Sequence, residues 1–298
     1  MSMSEKIKNN SVKTVTVDKI EIGGDKALPF LSENNNNSKP LFALEIPYIL
    51  ENFPQDILKN HWGETKDFKE LFQKAQNTDC DIICIHLNID EKEIDSLLEK
   101  LLKDVSEAVN SSVKPVILKG NNNKNIDSII LPLVAKSLNK RCIIAYADEK
   151  TYETILPSVI ENNHVLVLRS PIDINLAKEL NILSMDAGLD AQNILIDPDM
   201  GALGYGLDYG YSIIERIRQA AFDGDKMLQM PIITFIGEET FKVKEAKSDK
   251  FSKSWGNYEE RAQLWEITTA SAIISAGANV VVLFNPESIK ILKETLWN

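Results

Sequence analysis

The sequence predicts a closed (β/α)8 barrel, and three observations carry the prediction. Short apolar runs rich in Ile, Val and Leu recur along the chain, amphipathic helical stretches separate them, and the runs number eight after residue 40. Strands that read apolar on both faces are those buried on both faces of a parallel sheet. Parallel neighbours need a crossover, usually a helix, and eight such units in roughly 250 residues is the repeat number of the closed barrel. An open doubly wound sheet is the alternative; no GxGxxG fingerprint follows the first run to favour it.

Taken in order, residues 1–40 form an extension and residues 41–298 the barrel. Within the extension, VKTVTVDKIEIGGDKALPF (12–30) alternates apolar and polar residues around Gly23-Gly24, which predicts a small β-ribbon able to plug one end of a barrel. The runs Asn34 to Asn37 and Asn121 to Asn123 read as surface-loop expansions without chemistry. The eight strands are predicted at 41–46, 81–87, 115–120, 141–147, 164–170, 193–199, 230–237 and 279–285. Helices are predicted at 92–109, 125–137, 151–161, 173–186, 207–222 and 259–276, where apolar residues recur at helical spacing.

The sixth unit, NILIDPDMGALGYGLDYGYSIIERIRQAA (193–221), is the most informative. Its strand stops at Asp197-Pro198, because proline cannot continue a ladder. Gly201, Gly204, Gly206 and Gly210 follow, giving a loop whose backbone can take positive φ and lie close to a ligand or to its own neighbours. Ile213, Ile214, Ile217, Ala220 and Ala221 then mark one face of a helix, with Asp208 as its expected cap. The glycine spacing matches neither the P-loop nor the dinucleotide motif, so nucleotide binding is not supported.

Composition narrows the function classes. A net charge of −11 argues against a nucleic-acid groove and against an anionic membrane surface. The start, MSMSEKIKNN, lacks an apolar signal core, and the most apolar late stretch, 267–284, is interrupted by Thr, Ser, Gly277 and Asn279, so no export or membrane span is expected and a cytoplasmic location is. Cys80, Cys84 and Cys142 lack CxxC spacing and cannot by themselves hold a four-Cys cluster; His61, His86 and His164 are too scattered for a His-rich metal site.

In a barrel of this type the working groups sit on the loops after the strands. Those loops offer Glu45, His86, Asn88, Lys119, Asn121 and Asp148, then Arg169, Ser170, Asp173 and Asn175, then Asp197 and Asp199 with the glycine loop, and finally Glu238, Glu239 and Asn285. Each has an ordinary structural alternative: Asp148 and Asp173 as helix caps, Lys119 and Arg169 as partners of nearby acids. The set contains no evident nucleophile, metal triad or acid/base pair, and so predicts a binding face rather than a reaction centre. The longest connection, 238–258, carries Lys242, Lys244, Lys247, Lys250, Lys253 and Trp255, a composition suited to docking.

Four collinear stretches carry a family resemblance: GGDKALPF from Gly23, SPIDINLAKELNIL from Ser170, IDPDMGALGYGLDYGYSIIERIRQAAFDGDKMLQMPII from Ile196, and WGNYEERAQLWE from Trp255. Together they resemble the small (delta) subunit of the corrinoid iron-sulfur protein, part of acetyl-CoA decarbonylase/synthase. The resemblance implies a (β/α)8 barrel related to pterin-binding methyltransferases, and a non-catalytic subunit paired with a large (gamma) subunit that carries the [4Fe-4S] cluster and most of the corrinoid (cobamide) site. The pair would take a methyl group from methyltetrahydropterin, through a separate methyltransferase, onto cobalt and deliver it to acetyl-CoA synthase in the reductive acetyl-CoA (Wood-Ljungdahl) pathway. On this reading His86, Lys119, Ser170, Asp173, Asn175, Asp197, Asp199, Gly201, Gly204, Tyr205 and Gly206 face the shared corrinoid. Lys247, Lys250, Lys253 and Trp255 face a partner, and this chain holds no cluster. Asp199 and Met200 stand where the family is expected to have small hydroxyl residues. The alternative is a pterin-binding methyltransferase in which Asp197 with Asn88 or Asn285 would hold the pterin ring.

Overall fold

The computed structural model describes residues 10–29 and 38–297. The Asn34 to Asn37 run and all but the last residue of the opening MSMSEKIKNN lie outside the described residues. The first element is a hairpin of β1 (Thr14–Val17) and β2 (Ile20–Gly23), antiparallel, with Thr14 opposite Gly23. Eight parallel strands follow: β3 (Leu41–Pro47), β4 (Ile82–His86), β5 (Val116–Lys119), β6 (Ile143–Ala147), β7 (Val165–Arg169), β8 (Ile194–Asp197), β9 (Ile233–Thr234) and β10 (Val280–Leu283). Their spatial order is β8-β7-β6-β5-β4-β3-β10-β9. A parallel bridge between Ile196 and Ile232 joins the two ends, so the sheet closes into a barrel.

Period-2 alternation explains why these runs carry so few polar residues. In β4, Ile82 and Cys84 join the cluster inside the barrel, while Ile83 and Ile85 join the cluster beneath the helices. Both faces are dry, so both must be apolar. The covering helices are α1 (Phe68–Gln76), α2 (Ile94–Ser111), α3 (Lys124–Ser137), α4 (Tyr152–Glu161), α5 (Ile174–Asp186), α6 (Leu207–Phe222), α7 (Ile236–Thr240), α8 (Tyr258–Ala276) and α9 (Pro286–Trp297). No helix among the described residues is long and apolar enough to cross a membrane.

The ribbon packs into the amino-terminal end of the barrel. Val15, Val17 and Ile22 are fully buried among interior residues such as Ile82, Ile143, Val165 and Val280, each worth about 1.5–3 kcal/mol relative to exposure. Gly23 is required there: its φ is +89°, and a Cβ would collide with the Lys13 carbonyl oxygen. Polar links fasten the same end. Asp18 pairs with Lys140 at 2.9 Å, and buried Arg218 donates to the side chain of Asn279, which in turn donates to Asp25.

Some expectations change. The seventh strand is two residues long rather than the expected 230–237: Pro231 has no N–H to give to a ladder, and the chain turns into α7 at Ile236. Gly237 sits so close to Phe284 that a Cβ would clash with its ring. The cap of α6 is Gly206 in a left-handed conformation, not Asp208, which lies exposed in the first turn. The second Asn run is an ordered cap rather than a loose expansion. Asn123 accepts from the Asn125 amide at the start of α3, and the Asn121 and Asn123 amides donate to Asp127.

Candidate functional site

The last inward-facing residue of each of five strands is charged or ionisable. Glu45, His86, Lys119, Arg169 and Asp197 each stand two positions after an interior residue, namely Ala43, Cys84, Ile117, Val167 and Leu195. Strand alternation therefore aims all five at the carboxyl-end mouth of the barrel. Glu238 on α7 joins them from above β9.

Two networks result. Lys119, 1% exposed, places its Nζ 2.8 Å from Glu45 Oε1 and 2.9 Å from Glu238 Oε2. His86 Nδ1 is 3.2 Å from the same Glu45 oxygen, and Lys242 lies 3.0 Å from Glu238 and 2.6 Å from Glu239. Across the mouth, Arg169 Nε donates to Asp197 Oδ2 at 2.6 Å, and its Nη1 is 3.3 Å from Asp199. The aromatic pair Tyr146 and Phe235 stands between the networks, ring centres 5.6 Å apart. The Arg169 guanidinium lies 3.2 Å over the Tyr146 ring, and Lys119 lies 5.5 Å from the centre of Phe235.

The electrostatics follow from burial and pairing. Burial, the largest single influence, raises the proton affinity of Glu45 and Glu238, but Lys119 together with His86 beside Glu45, and with Arg169 and Lys242 beside Glu238, outweighs it and holds both below the usual carboxylate range. Burial works against the charges of Lys119 and Arg169, yet their carboxylate partners leave both with raised pKa values. Asp197 is the exception. Burial, reinforced by the Asp199 charge, pushes its carboxyl up to about 6 although Arg169 pulls it back.

Three buried polar atoms at this end have no hydrogen-bond or ion-pair partner among the described residues: Glu45 Oε2, Tyr146 OH and Ser170 Oγ. Buried polar groups are normally satisfied, and a cluster of exceptions at one mouth marks a place for water or a ligand. No group of three or more His, Cys, Asp or Glu side chains among the described residues is placed to hold a metal ion.

The structure brings His86, Lys119, Ser170, Asp197 and Asp199 to this mouth with Glu45, Arg169 and Glu238. It sets Asp173 and Asn175 apart as the first exposed turn of α5, where Asp173 accepts from the Asn175 and Leu176 amides at 2.8 and 3.2 Å. Asp148 likewise serves its own turn, accepting from Lys150 and Thr151. Gly201 allows the glycine loop to close on itself, since a Cβ would meet the Tyr205 carbonyl oxygen. Gly204, at φ +78°, faces open space, and Tyr205 beside it is 54% exposed. Sequence reasoning missed Tyr146, because a register shift between Ile144 and Ala147 in the β6–β7 pairing disrupts simple alternation.

The lysine loop and the glycine loop form one surface. Buried Arg261 donates to the carbonyls of Glu245, Ser248 and Gly256 and so pins the loop. Trp265 Nε1 donates to Leu203 at 2.9 Å, and Ala202 packs with Val243, Ala246 and Ala262. Trp255 stacks between Phe251 and Trp265, ring centres 5.5 and 6.5 Å away, yet stays half exposed. Lys247, Lys250 and Lys253 are exposed around it.

A family model described as the CO dehydrogenase/acetyl-CoA synthase delta subunit matches residues 13–293. The chain belongs to this family. It is 30% identical over 291 residues to the acetyl-CoA decarbonylase/synthase complex subunit delta of Methanocaldococcus jannaschii, covering 92% of this chain and 68% of that one. Subunit delta 2 of Methanosarcina acetivorans is 29% identical over 290 residues, covering 93% and 65% respectively. The chain thus spans about two thirds of the length of these relatives. Among solved structures, a dihydropteroate synthase from Xanthomonas albilineans in complex with 7,8-dihydropteroate superposes with a TM-score of 0.60 at 13% identity, covering 87% of this chain and 92% of that one. A truncated 3-deoxy-D-arabino-heptulosonate 7-phosphate synthase from Thermotoga maritima gives 0.55 at 14% identity, covering 96% and 91%. This delta-subunit family member therefore has the barrel fold of those enzymes, as its strand pattern predicts.

Proposed function

We propose that this chain is the small subunit of a heterodimeric corrinoid iron-sulfur protein that carries a methyl group from methyltetrahydropterin to acetyl-CoA synthase. Its barrel, residues 41–298, caps a corrinoid held mainly by a large (gamma) subunit in the cytoplasm, and the first 40 residues are an extension. The observation that carries this reading is the mouth itself. Its central charges are spent on one another, Lys119 on Glu45 and Glu238, Arg169 on Asp197 and Asp199, so the mouth is a preformed polar surface rather than a set of groups awaiting a reactant. Membership in the delta-subunit family supplies the complex to which such a surface belongs.

The residues present fit a corrinoid. Its rim bears amide side chains that both donate and accept, and the mouth keeps unpartnered polar atoms on Glu45, Ser170 and Tyr146. Asp199, Gly204 and Tyr205 would complete the holding surface on the glycine loop. When bound, the corrinoid supplies a cobalt centre that accepts and releases the methyl group. The lysines and Trp255 of the neighbouring loop would steer and anchor an acidic protein of the complex.

The methyltransferase alternative is weaker because its ring-holding residues are committed elsewhere. Asn88 exchanges two hydrogen bonds with the Ile49 backbone, at 2.7 and 2.8 Å, Asn285 caps α9 through the Glu287 amide, and Asp197 holds Arg169. Purification of the chain with and without a co-expressed large subunit tests the proposal. The chain alone should be colourless and inert toward methyltetrahydrofolate with cob(I)alamin, and the pair should be a brown heterodimer. Stoichiometric cobamide or iron on the isolated chain, or demethylation by it, would overturn the reading.

A further inference from the structure

Ile172 has a backbone its side chain disfavours. Its φ is +48°, in the left-handed region where a β-branched residue is a genuine outlier. It is nevertheless an isoleucine, and 43% exposed, in a turn that asparagine or glycine would occupy without strain.

The surroundings hold that conformation in place. The Ile172 amide donates to the Pro198 carbonyl and the Ser170 amide to the Asp197 carbonyl, both at 2.9 Å, so the turn after β7 is fastened to the turn after β8. Asp199, the next residue there, is also left-handed, with φ +46°, and its amide donates to Asp197 Oδ1. Arg169 braces Asp197 from below. Two neighbouring strand-end turns are thus interlocked, the first of them strained at Ile172, and the second carries the Asp197 and Asp199 carboxylates that pair with Arg169 at the mouth, so one exposed aliphatic side chain is held on a turn that borders it. Strain of this kind persists where a surface is being shaped for contact. An exposed aliphatic group on a fixed turn bordering a polar mouth matches a flat ligand with an apolar face and an amide rim.

We propose that Ile172 is the apolar contact this chain makes with the face of the corrinoid, a deepening that rests on the capping role proposed above. The test uses the heterodimer with the large subunit, loaded with hydroxocobalamin, in wild-type, Ile172→Asn and Ile172→Leu forms. Subunit association, cobalamin dissociation followed by visible absorbance, and melting temperature are measured for each. Asparagine tolerates the left-handed backbone, so Ile172→Asn should melt a few degrees higher than wild type. It should also release cobalamin on the order of tenfold faster, the effect of one lost buried aliphatic contact, while association is unchanged. Ile172→Leu should hold cobalamin as wild type does. Unchanged release from Ile172→Asn overturns the inference, as does loss of subunit association in that variant, which would make Ile172 a protein contact. A wild-type pair that never retains cobalamin refutes the capping role instead.

Discussion

Replacing Lys119 by methionine distinguishes a ligand-facing lysine from the centre of a buried network. The substitution keeps most of the side-chain volume and removes one cation lying 2.8 Å from Glu45 and 2.9 Å from Glu238. Glu238 retains Lys242 at 3.0 Å, but Glu45 is left fully buried with only His86 at 3.2 Å. Removing one partner of a buried ion pair costs about 3–5 kcal/mol, mostly for the stranded charge. The remaining His86 contact places Lys119→Met near about 3 kcal/mol by the same reasoning. In a chain of this size that is a fall in melting temperature of roughly 6–12 °C. Lys119→Met/Glu45→Gln removes both charges and should recover most of the loss, so the pair couples strongly in a double-mutant cycle. Urea titration of the four proteins at pH 7.5 gives the cycle. A single variant losing less than about 1 kcal/mol, with the double no better, would refute the network argument and return Lys119 to the role of a free ligand contact.

Two further outcomes follow from other parts of the molecule. Glu266, buried in α8, accepts from the Phe284 amide at 2.7 Å, and burial pushes its carboxyl from the ordinary 4.5 up to about 7 against hydrogen bonds from Ser288 and Phe284. Between those values the folded chain binds a proton that the unfolded chain does not, so this stabilisation is present below pH 4.5 and is lost as pH rises through 7. At about 1.4 kcal/mol per pH unit the loss is about 3 kcal/mol, and Glu266→Gln should be the more stable protein at pH 8 with a flatter profile between pH 5 and 8; equal slopes for the two proteins in urea melts would contradict this. On the lysine loop, replacing Lys247, Lys250 and Lys253 by serine should slow association with an acidic partner of the complex and reduce its salt dependence, whereas Trp255→Ala should mainly speed dissociation. Surface plasmon resonance at two salt concentrations reads both, and unchanged rates in both variants would exclude a docking role.

The barrel was legible because strands dry on both faces must be written almost entirely in apolar residues, whatever their tertiary neighbours. Where another rule intervened, legibility failed. Pro231 and Gly237 look like ends of one apolar run, yet a missing donor and a close approach to Phe284 reduce it to Ile233–Thr234. Helix α1 is written in Phe68, Leu71, Phe72 and Ala75 at helical spacing and in reciprocal bonds at its start, the Glu70 amide donating to Asp67 and the Lys66 amide to Glu70 Oε2, yet its nine residues are short enough to pass over between two strands. At the site, strand ends identify the candidates, and the alternative that Lys119 and Arg169 pair with nearby acids is the one the side chains adopt. Which acids they take is not written in sequence spacing, because Lys119 and Glu45 are 74 positions apart and meet only after the barrel closes. The inward turn of Tyr146 and the left-handed turn at Ile172 depend on pairing register and on bonds from the next strand, neither of which has a local signature.

The mouth's two networks also bear on how the barrel stays closed. Closure between β8 and β9 rests on a short strand and the bridge from Ile196 to Ile232, reinforced by the Ile196 amide donating to Pro231 at 2.9 Å. Little ladder continues above that seam. The side chains take over there: Phe235 packs edge-on against Tyr146 from β6, and Glu238 on α7 reaches Lys119 on β5. Arg169 on β7 lies over Tyr146, bonds Asp197 on β8 and helps hold Glu238 in its ionised form. Groups from β5 to β8 are thereby tied to the segment after β9 without a continuous hydrogen-bonded strand pair. Desolvating these charges is costly, and hydrophobic substitutes of equal volume could close the seam as well. They could not also present a rigid, polar surface of fixed charge to a second subunit. Retaining charge at the structurally weakest part of the barrel is the expected arrangement if that part of the rim is where a cofactor and a partner protein are received.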